Sequence, residues 1–251
     1  AQYVRGRLSV DEYLKQCAVA NPHLRLHFRV TTLKKDKSGA LAPETGDWQT
    51  YLRAVRTLPP VTKAIQPHPH GVELGVLLQM LKDTAARTLK GALEQEFSRV
   101  SARAAQEICE RAGLNPKANP TRVAHHEIEA LFKAIQETKL MRPPTDCLAP
   151  IGEEQIIAGL KKEFPADFYA AVTRAPEVYR GNPFQVEVGV AYAKPGTNAE
   201  LGAEEPVRVM RFANRAPLLY MSGACAMTEA LENVNWKAYG LLQPKGSLPL
   251  G

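Results

Sequence analysis

Two proline-rich joints divide the chain and restrict what it can fold into. The first contains Pro59-Pro60 and the run Pro67-His68-Pro69-His70-Gly71, and the second contains Pro143-Pro144 and Pro150. Proline lacks an amide hydrogen and disfavours a helical residue before it, so neither joint can lie inside a long helix or a central strand. The residues between the joints show helical periodicity, whereas both flanks also contain strand-like alternation. The sequence therefore predicts an α+β chain with an all-helical middle segment.

Four helices are predicted between the joints. Residues 72–82 are apolar nearly all round, which predicts a central buried helix. A second helix over 88–97 presents one apolar face and runs into a tight turn over 97–101. Two further helices have apolar residues at i, i+3, i+4 and i+7: Ala105, Ile108, Cys109 and Ala112, ending at Gly113, then Ile128, Leu131, Phe132 and Ile135.

The flanks mix helices and strands. Before the first joint, Ser9-Val10-Asp11-Glu12 predicts a capping box that opens a helix to about Ala20. Alternation from Leu24 to Val30 predicts a half-buried strand, and Lys34–Gly46 is predicted to be a polar loop. After the second joint, helices are predicted over 153–163 and 223–234. Two β-like runs, 184–192 and 207–212, are predicted to pair as a hairpin with a long connection over 194–206.

The composition excludes several classes of protein. No run approaches the ~20 apolar residues of a membrane span, and residues 1–15 lack the apolar core of a signal peptide. The cysteines contain no C-x-x-C pair, which predicts reduced thiols rather than a disulfide framework or a zinc site: Cys17, Cys109, Cys147 and Cys225. We therefore expect an intracellular protein, in the cytoplasm or nucleoid of a prokaryote or the nucleus of a eukaryote. The ends at Ala1 and Gly251 suggest a segment of a longer protein.

The charge permits a polyanionic partner. The formal net charge is +6, and the basic excess is concentrated in residues 1–70, with eleven Lys/Arg against five Asp/Glu. The helical middle is nearly balanced, so a DNA site there depends on local arrangement. Basic residues near its turns are the candidates for gripping phosphates without reading sequence: Lys82, Arg87, Lys90, Arg99, Arg103, Arg111 and Lys117. The alternative is an ordinary solvated surface, in which Arg103 and Glu107 form an i, i+4 pair.

Other motifs predict no chemistry. His68 and His70 lie on a proline-stiffened turn without a carboxylate or cysteine at ligand spacing, which favours a structural hinge over a metal site. His125 and His126 are adjacent and do not share a helix face. Glu229 and Asn233 have the four-residue spacing of a Glu/Asn pair in some ATPases, but the residues that usually follow are missing. We find no phosphate-binding loop, nucleophile elbow or zinc-protease motif.

Seven longer strings carry a family resemblance. The strings are RGRLSVDEYLKQCAVANPH from Arg5, HPHGVELGVLLQML from His68, FSRVSARAAQEI from Phe97, PPTDCLAPIGEEQI from Pro143, YRGNPFQVEVGVAY from Tyr179, VMRFANRAPLLY from Val209 and NWKAYGL from Asn235. In this order, and over nearly the whole chain, they resemble the B subunits of topoisomerase VI, a type IIB DNA topoisomerase.

This resemblance implies three parts. Residues 1–66 resemble the end of a GHKL ATPase domain, residues 67–145 a helix–two-turns–helix DNA-contacting module, and residues 146–251 the first part of a transducer domain. The family relaxes or decatenates duplex DNA by double-strand passage. Its complete B subunit uses ATP and Mg²⁺. We expect neither to bind this segment, because the nucleotide motifs belong before Ala1, and we carry over no catalytic residue.

The resemblance also implies partners. In the family, two B subunits dimerise on ATP and act with two A subunits, which cut the duplex DNA. We therefore expect duplex DNA, an A subunit and a second B subunit as partners, and no activity from this segment alone. A competing hypothesis is a DNA-binding or scaffold protein that has lost its ATPase, of the type found in meiotic break complexes.

Overall fold

The computed structural model describes residues 6, 8–35, 39–193, 207–243 and 248–249. These residues form seven α-helices: α1 (Val10–Ala20), α2 (Leu74–Asp83), α3 (Leu89–Glu96), α4 (Ala102–Arg111), α5 (His125–Glu137), α6 (Glu153–Glu163) and α7 (Ala226–Glu232). Short 3-10 helices lie at Pro120–Arg122, Ser222–Ala224 and Trp236–Tyr239. Among the described residues, no helix has the length and apolar character needed to cross a bilayer.

The strands are short and pair two by two. They are β1 (Leu26–Phe28), β2 (Thr31–Lys35), β3 (Leu41–Thr45), β4 (Gln49–Tyr51), β5 (Phe168–Thr173), β6 (Glu177–Tyr179), β7 (Asn182–Phe184), β8 (Glu187–Tyr192), β9 (Phe212–Ala213) and β10 (Ala216–Pro217). The pairs are β1 with β4, β2 with β3, β5 with β8, β6 with β7 and β9 with β10. The mixture of helices and strands agrees with the α+β prediction.

The chain folds into two compact units. One contains Ala1–Pro59, Ile151–Val172 and Glu187–Gly251, and the other contains Pro60–Pro150 and Thr173–Val186. We call the second the helical unit, because α2 to α5 belong to it. The chain therefore enters the helical unit twice, first for the four helices and again for β6 and β7.

The core of the helical unit is a single apolar cluster supplied by all four of its helices. Its fully enclosed side chains recur at helical spacing, so each helix presents one buried stripe: Leu77, Leu81, Leu89, Leu93, Ile108, Leu131 and Ile135. Burial of each such side chain contributes roughly 1.5–3 kcal/mol relative to exposure. The predicted helices over 88–97 and around Ile108 and Ile135 are confirmed.

The helix predicted over 72–82 is present as α2, but the prediction that it is central and buried is wrong. Within α2 only Leu77 and Leu81 are buried, and Val76 is 49% exposed. The helix lies at the edge of the cluster, where one face packs and the other meets solvent. A continuous apolar sequence over three turns does not distinguish a central buried helix from a helix at the edge of the core.

In the other unit, two glycines allow close packing. A Cβ on Gly159 of α6 would lie 2.7 Å from the carbonyl oxygen of Val19 in α1, and a Cβ on Gly189 of β8 would lie 2.9 Å from Leu160 Cδ1. At Gly159 the close atom belongs to the backbone and cannot easily move, so a side chain there would force the helices apart. At Gly189 the neighbouring side chain would have to shift to admit one. Helix α6 thus packs between α1 and β8.

The predicted hairpin between 184–192 and 207–212 is also wrong. Residues 184–192 are split between β7 and β8, and β8 pairs with β5. Of 207–212, only Phe212 is in a strand, where β9 pairs with β10 across Asn214-Arg215. The predicted connection over 194–206 lies outside the described residues. Alternation identified β8, but it carries no information on the partner strand.

Strands β5 to β8 form one long antiparallel hairpin. At its base the Asp167 amide donates to the Tyr192 carbonyl over 2.9 Å, and further along the Arg174 amide donates to the Val186 carbonyl over 2.9 Å. Beyond these, β6 and β7 pair up to the two-residue turn Arg180-Gly181, where both residues have positive φ (50° and 78°). Positive φ at both positions is typical of the type I′ turn that matches strand twist.

Two predictions about the amino-terminal flank need correction. The polar loop over Lys34–Gly46 contains most of the β2–β3 hairpin, whose β3 residues are all exposed and so show no alternation. Ser9 caps α1 as predicted by accepting from the Glu12 amide, over 3.3 Å. The reciprocal half of the capping box is absent, because the Ser9 amide donates to Gly6 and the Glu12 carboxylate accepts from Gln16 and Arg208.

Candidate nucleic-acid interface

The tight turn between α3 and α4 contains Arg99 in an unusual backbone conformation. Arg99 has φ 62°, a left-handed conformation that costs a non-glycine residue of order 1–3 kcal/mol. Its guanidinium Nε donates to the carbonyl oxygen of Arg142 over 3.1 Å. The side chain of Arg99 is exposed. The surrounding structure therefore fixes an arginine at the point where the chain turns into α4.

The start of α4 has free hydrogen-bond donors. Ser101 caps the helix by accepting from the Ala104 amide over 3.3 Å with its hydroxyl and from the Ala105 amide over 2.8 Å with its carbonyl. In the described part of the chain, no acceptor takes the amides of Ala102 and Arg103. These amides form the positive end of the helix dipole and can bind an anion. Arg99 and Arg103 are both exposed next to them.

The start of α3 differs, because its amides are already occupied. The Leu89 amide donates to Ala118 over 2.8 Å and the Lys90 amide donates to Pro116 over 3.0 Å. The Gly91 amide donates to the Thr88 cap hydroxyl over 3.1 Å. This docking places the backbone of residues 116–118 against the start of α3. An anion there would have only side chains as partners, and the candidates are Arg87, Lys90 and Lys117.

The remaining two candidates lie at the opposite helix ends. Lys82 is in the last turn of α2 and Arg111 is in the last turn of α4, where the dipole favours the cation itself but repels a phosphate. Arg111 is also paired with Glu107, through its Nε and Nη2 at 3.1 and 3.0 Å. Glu107 thus takes Arg111, not Arg103, as its i, i+4 partner. The seven candidates therefore differ in the groups that surround them.

Two further features of this region were not predicted. The Arg142 carbonyl holds Arg99 from 43 residues away, and the Ser98 amide donates to the Pro67 carbonyl over 3.0 Å. Both bonds join the α3–α4 turn to the proline-rich joints. A local sequence pattern cannot report such contacts, because the two partners are far apart along the chain.

The two histidines of the first joint bind backbone carbonyls. His68 is buried, and its Nε2 lies 3.0 Å from the Met141 carbonyl oxygen. His70 Nε2 lies 3.1 and 3.0 Å from the carbonyl oxygens of Ile135 and Thr138, at the end of α5. The two rings make an edge contact, with centroids 5.1 Å apart. These bonds explain the histidines as structural ties between the joint and the end of α5.

The Glu/Asn pair of α7 does not form a nucleotide site. Glu229 and Asn233 are exposed, and Asn233 is the C-cap of the helix. An enclosed carboxylate–amide pair that positions water and magnesium cannot be built on such an open helix end.

Of the two adjacent histidines, His125 contacts a carboxylate of its own helix rather than a metal site. Its ring nitrogen lies 3.3 Å from Glu129 on α5. Within the described residues, no cluster of three metal-ligating side chains occurs.

The chain is similar to named proteins along its whole length. Residues 143–250 match the family model described as "Topoisomerase VI B subunit, transducer". Proteins named as the B subunit of type 2 DNA topoisomerase 6, from Methanosarcina acetivorans and Archaeoglobus fulgidus, are 45% and 42% identical over 100% and 98% of the chain. A more distant relative with the same name, from Metallosphaera sedula, is 31% identical over 95% of the chain.

The aligned part is a minority of each relative. The chain spans 38% of the relatives from Methanosarcina acetivorans and Archaeoglobus fulgidus, and 42% of the one from Metallosphaera sedula. The similarity is continuous through both proline-rich joints, so it includes the helical unit as well as the part that matches the transducer. On this basis the chain belongs to the topoisomerase VI B subunit family, and its residues 143–250 correspond to the transducer of that family.

Proposed function

We propose that this chain is the central segment of the B subunit of an ATP-dependent type IIB topoisomerase. In this proposal residues 1–66 are the end of the GHKL ATPase domain, residues 67–145 are the helix–two-turns–helix module and residues 146–251 begin the transducer. The observation that carries the proposal is the 42–45% identity to type 2 DNA topoisomerase 6 B subunits over practically the whole chain. The enzyme relaxes or decatenates duplex DNA by passing one double strand through another.

The helical unit is proposed to hold duplex DNA by its backbone. The free amides of Ala102 and Arg103, with the side chains of Arg99 and Arg103, can bind one phosphate or two adjacent ones. Arg87, Lys90 and Lys117 at the start of α3 supply further positive charge. Backbone amides at a helix start and exposed cations suit phosphate oxygens, which carry no sequence information, so the binding is proposed to be independent of sequence.

ATP and Mg²⁺ are proposed to bind the complete protein outside this segment. Glu229 and Asn233 lie on an open helix end and are not proposed to hold a nucleotide. No step involving ATP is therefore assigned to this chain. Its proposed role is to connect ATP-driven closure of two B subunits to DNA and to two cleaving A subunits, inside the cell.

The competing hypothesis of a non-catalytic scaffold has less support. The relatives that cover the chain carry the name of a topoisomerase subunit, and their alignments include the residues that match the transducer. The experiment below separates the two hypotheses.

The test uses the complete B subunit purified with its A subunit. The topoisomerase proposal predicts ATP-dependent relaxation of supercoiled plasmid and decatenation of linked circles. It also predicts ATP hydrolysis that duplex DNA stimulates. Binding of DNA without strand passage, in a preparation that assembles with the A subunit, would instead support the scaffold hypothesis. The segment alone, purified as a control, is expected to hydrolyse no ATP.

A further inference from the structure

The tip of the long hairpin is tightly held by the first proline-rich joint. The Gly181 carbonyl accepts from the His68 amide over 2.8 Å. A Cβ on Gly181 would lie 2.8 Å from Val72 Cγ2 and 3.2 Å from Pro67 Cβ. Gly181 is buried, and its positive φ of 78° also favours glycine. The close approach therefore depends on the absence of a side chain at this residue.

The joint touches the hairpin tip from its other side as well. A Cβ on Gly71 would lie 3.2 and 3.3 Å from the amide nitrogens of Arg180 and Gly181. Arg180 Nε lies 3.1 Å from a carboxylate oxygen of Glu73, the N-cap residue of α2. Both of those side chains are largely exposed, so the ion pair orients the tip and contributes little to affinity. The docking therefore depends on the close packing around Gly181 and on the hydrogen bond from the His68 amide.

The same joint also touches the proposed DNA contact. The Pro67 carbonyl accepts from the Ser98 amide over 3.0 Å, and Ser98 directly precedes Arg99 in the α3–α4 turn. His68, whose amide binds Gly181, is fixed by its ring to the Met141 carbonyl next to Arg142. Arg142 in turn accepts from Arg99. The hairpin tip and Arg99 are thus linked by two short series of hydrogen bonds that both pass through the joint.

We infer that the docked tip of the β5–β8 hairpin is the element through which DNA held at the α3–α4 turn acts on the transducer. The inference rests on the proposed function and specifies its route. The two strands that carry the tip continue along the chain into the other unit, β5 up to Val172 and β8 from Glu187. DNA favours the docked arrangement by binding it better than the undocked one.

The test compares two glycine substitutions in the complete two-subunit enzyme. Gly181→Ala adds a methyl group that meets Val72 and Pro67. Gly113→Ala is the matched control, because Gly113 has the same kind of backbone (φ 69°) but open space around its Cβ position. Gly181→Ala is expected to reduce DNA stimulation of ATP hydrolysis by about fivefold or more, the lower range for coupled sites. Basal hydrolysis should stay within about twofold. DNA affinity should fall by no more than the same factor as the stimulation, because the coupling between docking and DNA binding is reciprocal, and Gly113→Ala should behave as wild type.

A third variant addresses the mechanism of the loss. Val72→Ala removes the Cγ2 atom that the new methyl group meets, so the double variant Gly181→Ala/Val72→Ala should recover part of the stimulation. If Gly181→Ala retains full stimulation, the hairpin tip is not the route and the inference is wrong. If wild-type enzyme itself neither binds DNA nor is stimulated by it, the proposed function fails, and the inference with it.

A measurement on the wild-type enzyme avoids dependence on the folding of a variant. Hydrogen exchange is followed by mass spectrometry on peptides that contain the Ser98 and His68 amides, with and without duplex DNA. Both amides donate along the proposed route, so DNA should slow exchange at both, and at the β5 and β8 stem. Protection confined to α3 and α4, with unchanged exchange at His68 and in the stem, would overturn the inference.

Discussion

Arg111 donates from both Nε and Nη2 to one carboxylate oxygen of Glu107, over 3.1 and 3.0 Å. This pair neutralises Arg111 in the last turn of α4, at the negative end of the helix dipole. Arg103, two turns earlier on the same helix, is exposed and lies next to amides without an acceptor among the described residues. The two arginines therefore differ in their capacity to bind phosphate, although the sequence presents them alike.

The first prediction concerns DNA binding by these two arginines. Arg103→Ala in the complete B subunit should weaken duplex binding equally on unrelated sequences. It should also lower the slope of log affinity against log salt by about 0.9, the loss of one phosphate contact. Arg111→Ala is the matched control and should change neither quantity appreciably. Fluorescence anisotropy over a series of salt concentrations measures both, and equal effects of the two substitutions would contradict our choice of site.

The helices of the helical unit could be predicted because their signals are local. Thr88 and Ser101 cap α3 and α4 with side chains three residues from the amides that they bind, and the apolar stripe of α4 repeats within the helix itself. Strand pairing could not be predicted in the same way. Strand β8 alternates as its sequence indicates, yet its partner β5 is shown only by backbone bonds such as Asp167 to Tyr192.

For the candidate site, the sequence indicated which residues to consider but not which of them have open surroundings. Basic residues near turns drew attention to Arg99 and Arg103, which the structure does place at an open helix start. Distinguishing them from Lys90 requires knowing that residues 116–118 fold back onto α3 and occupy its amides. That docking joins residues more than twenty positions apart, so no pattern within either helix reveals it.

The second prediction concerns the pH dependence of stability. Burial lowers the pKa of His68 below its usual value, and the nearby charges of His70 and Arg99 lower it further, against the raising effect of the Met141 carbonyl. The unfolded chain, with a histidine pKa of about 6.5, therefore binds the proton more readily than the fold does. The neutral ring's contribution to stability is present above that pH and is lost as the pH falls below it.

This dependence can be measured by urea unfolding followed by circular dichroism. The free energy of unfolding should fall between about pH 7.5 and about pH 5.5, and His68→Gln should reduce that fall. His125→Gln is the control, since the His125 side chain is 65% exposed. Identical pH profiles for wild type and His68→Gln would show that His68 does not titrate on unfolding.

The third prediction concerns the reactivity of two cysteines. The pKa of Cys225 is lowered to about 7 by a hydrogen bond from Arg211 and by the amides of Thr228 and Met227 at the start of α7. Burial in the helical core raises the pKa of Cys109 to about 11. Since the thiolate is the nucleophile, iodoacetamide should label Cys225 near neutral pH and leave Cys109 unmodified in the folded protein.

The labelling is followed by mass spectrometry of peptides over a range of pH. The rate at Cys225 should rise with a midpoint near pH 7. Arg211→Lys should shift this midpoint upward, because lysine cannot reproduce the guanidinium geometry. If Cys109 is labelled as fast as Cys225 in the folded protein, the two environments do not differ as described.

The last prediction concerns how the transducer-like part is held together. The carboxylate of Glu187, in β8, accepts from the amides of Ile151 and Gly152 with one oxygen each, both over 2.7 Å. These amides lie at the start of α6, so the negative charge also lies at the positive end of the helix dipole.

Glu187→Gln keeps the shape of the side chain but removes the charge and replaces one acceptor oxygen by a donor that faces an amide. The expected loss is about 1–3 kcal/mol in the free energy of unfolding, the range for hydrogen bonds to a charged group. Glu154→Gln is the matched control, since Glu154 is exposed in the first turn of the same helix and should contribute only ~0.3–1 kcal/mol through the dipole. Urea unfolding of both variants measures the difference, and equal losses would mean that the helix dipole, and not the pair of hydrogen bonds, is what stabilises the start of α6.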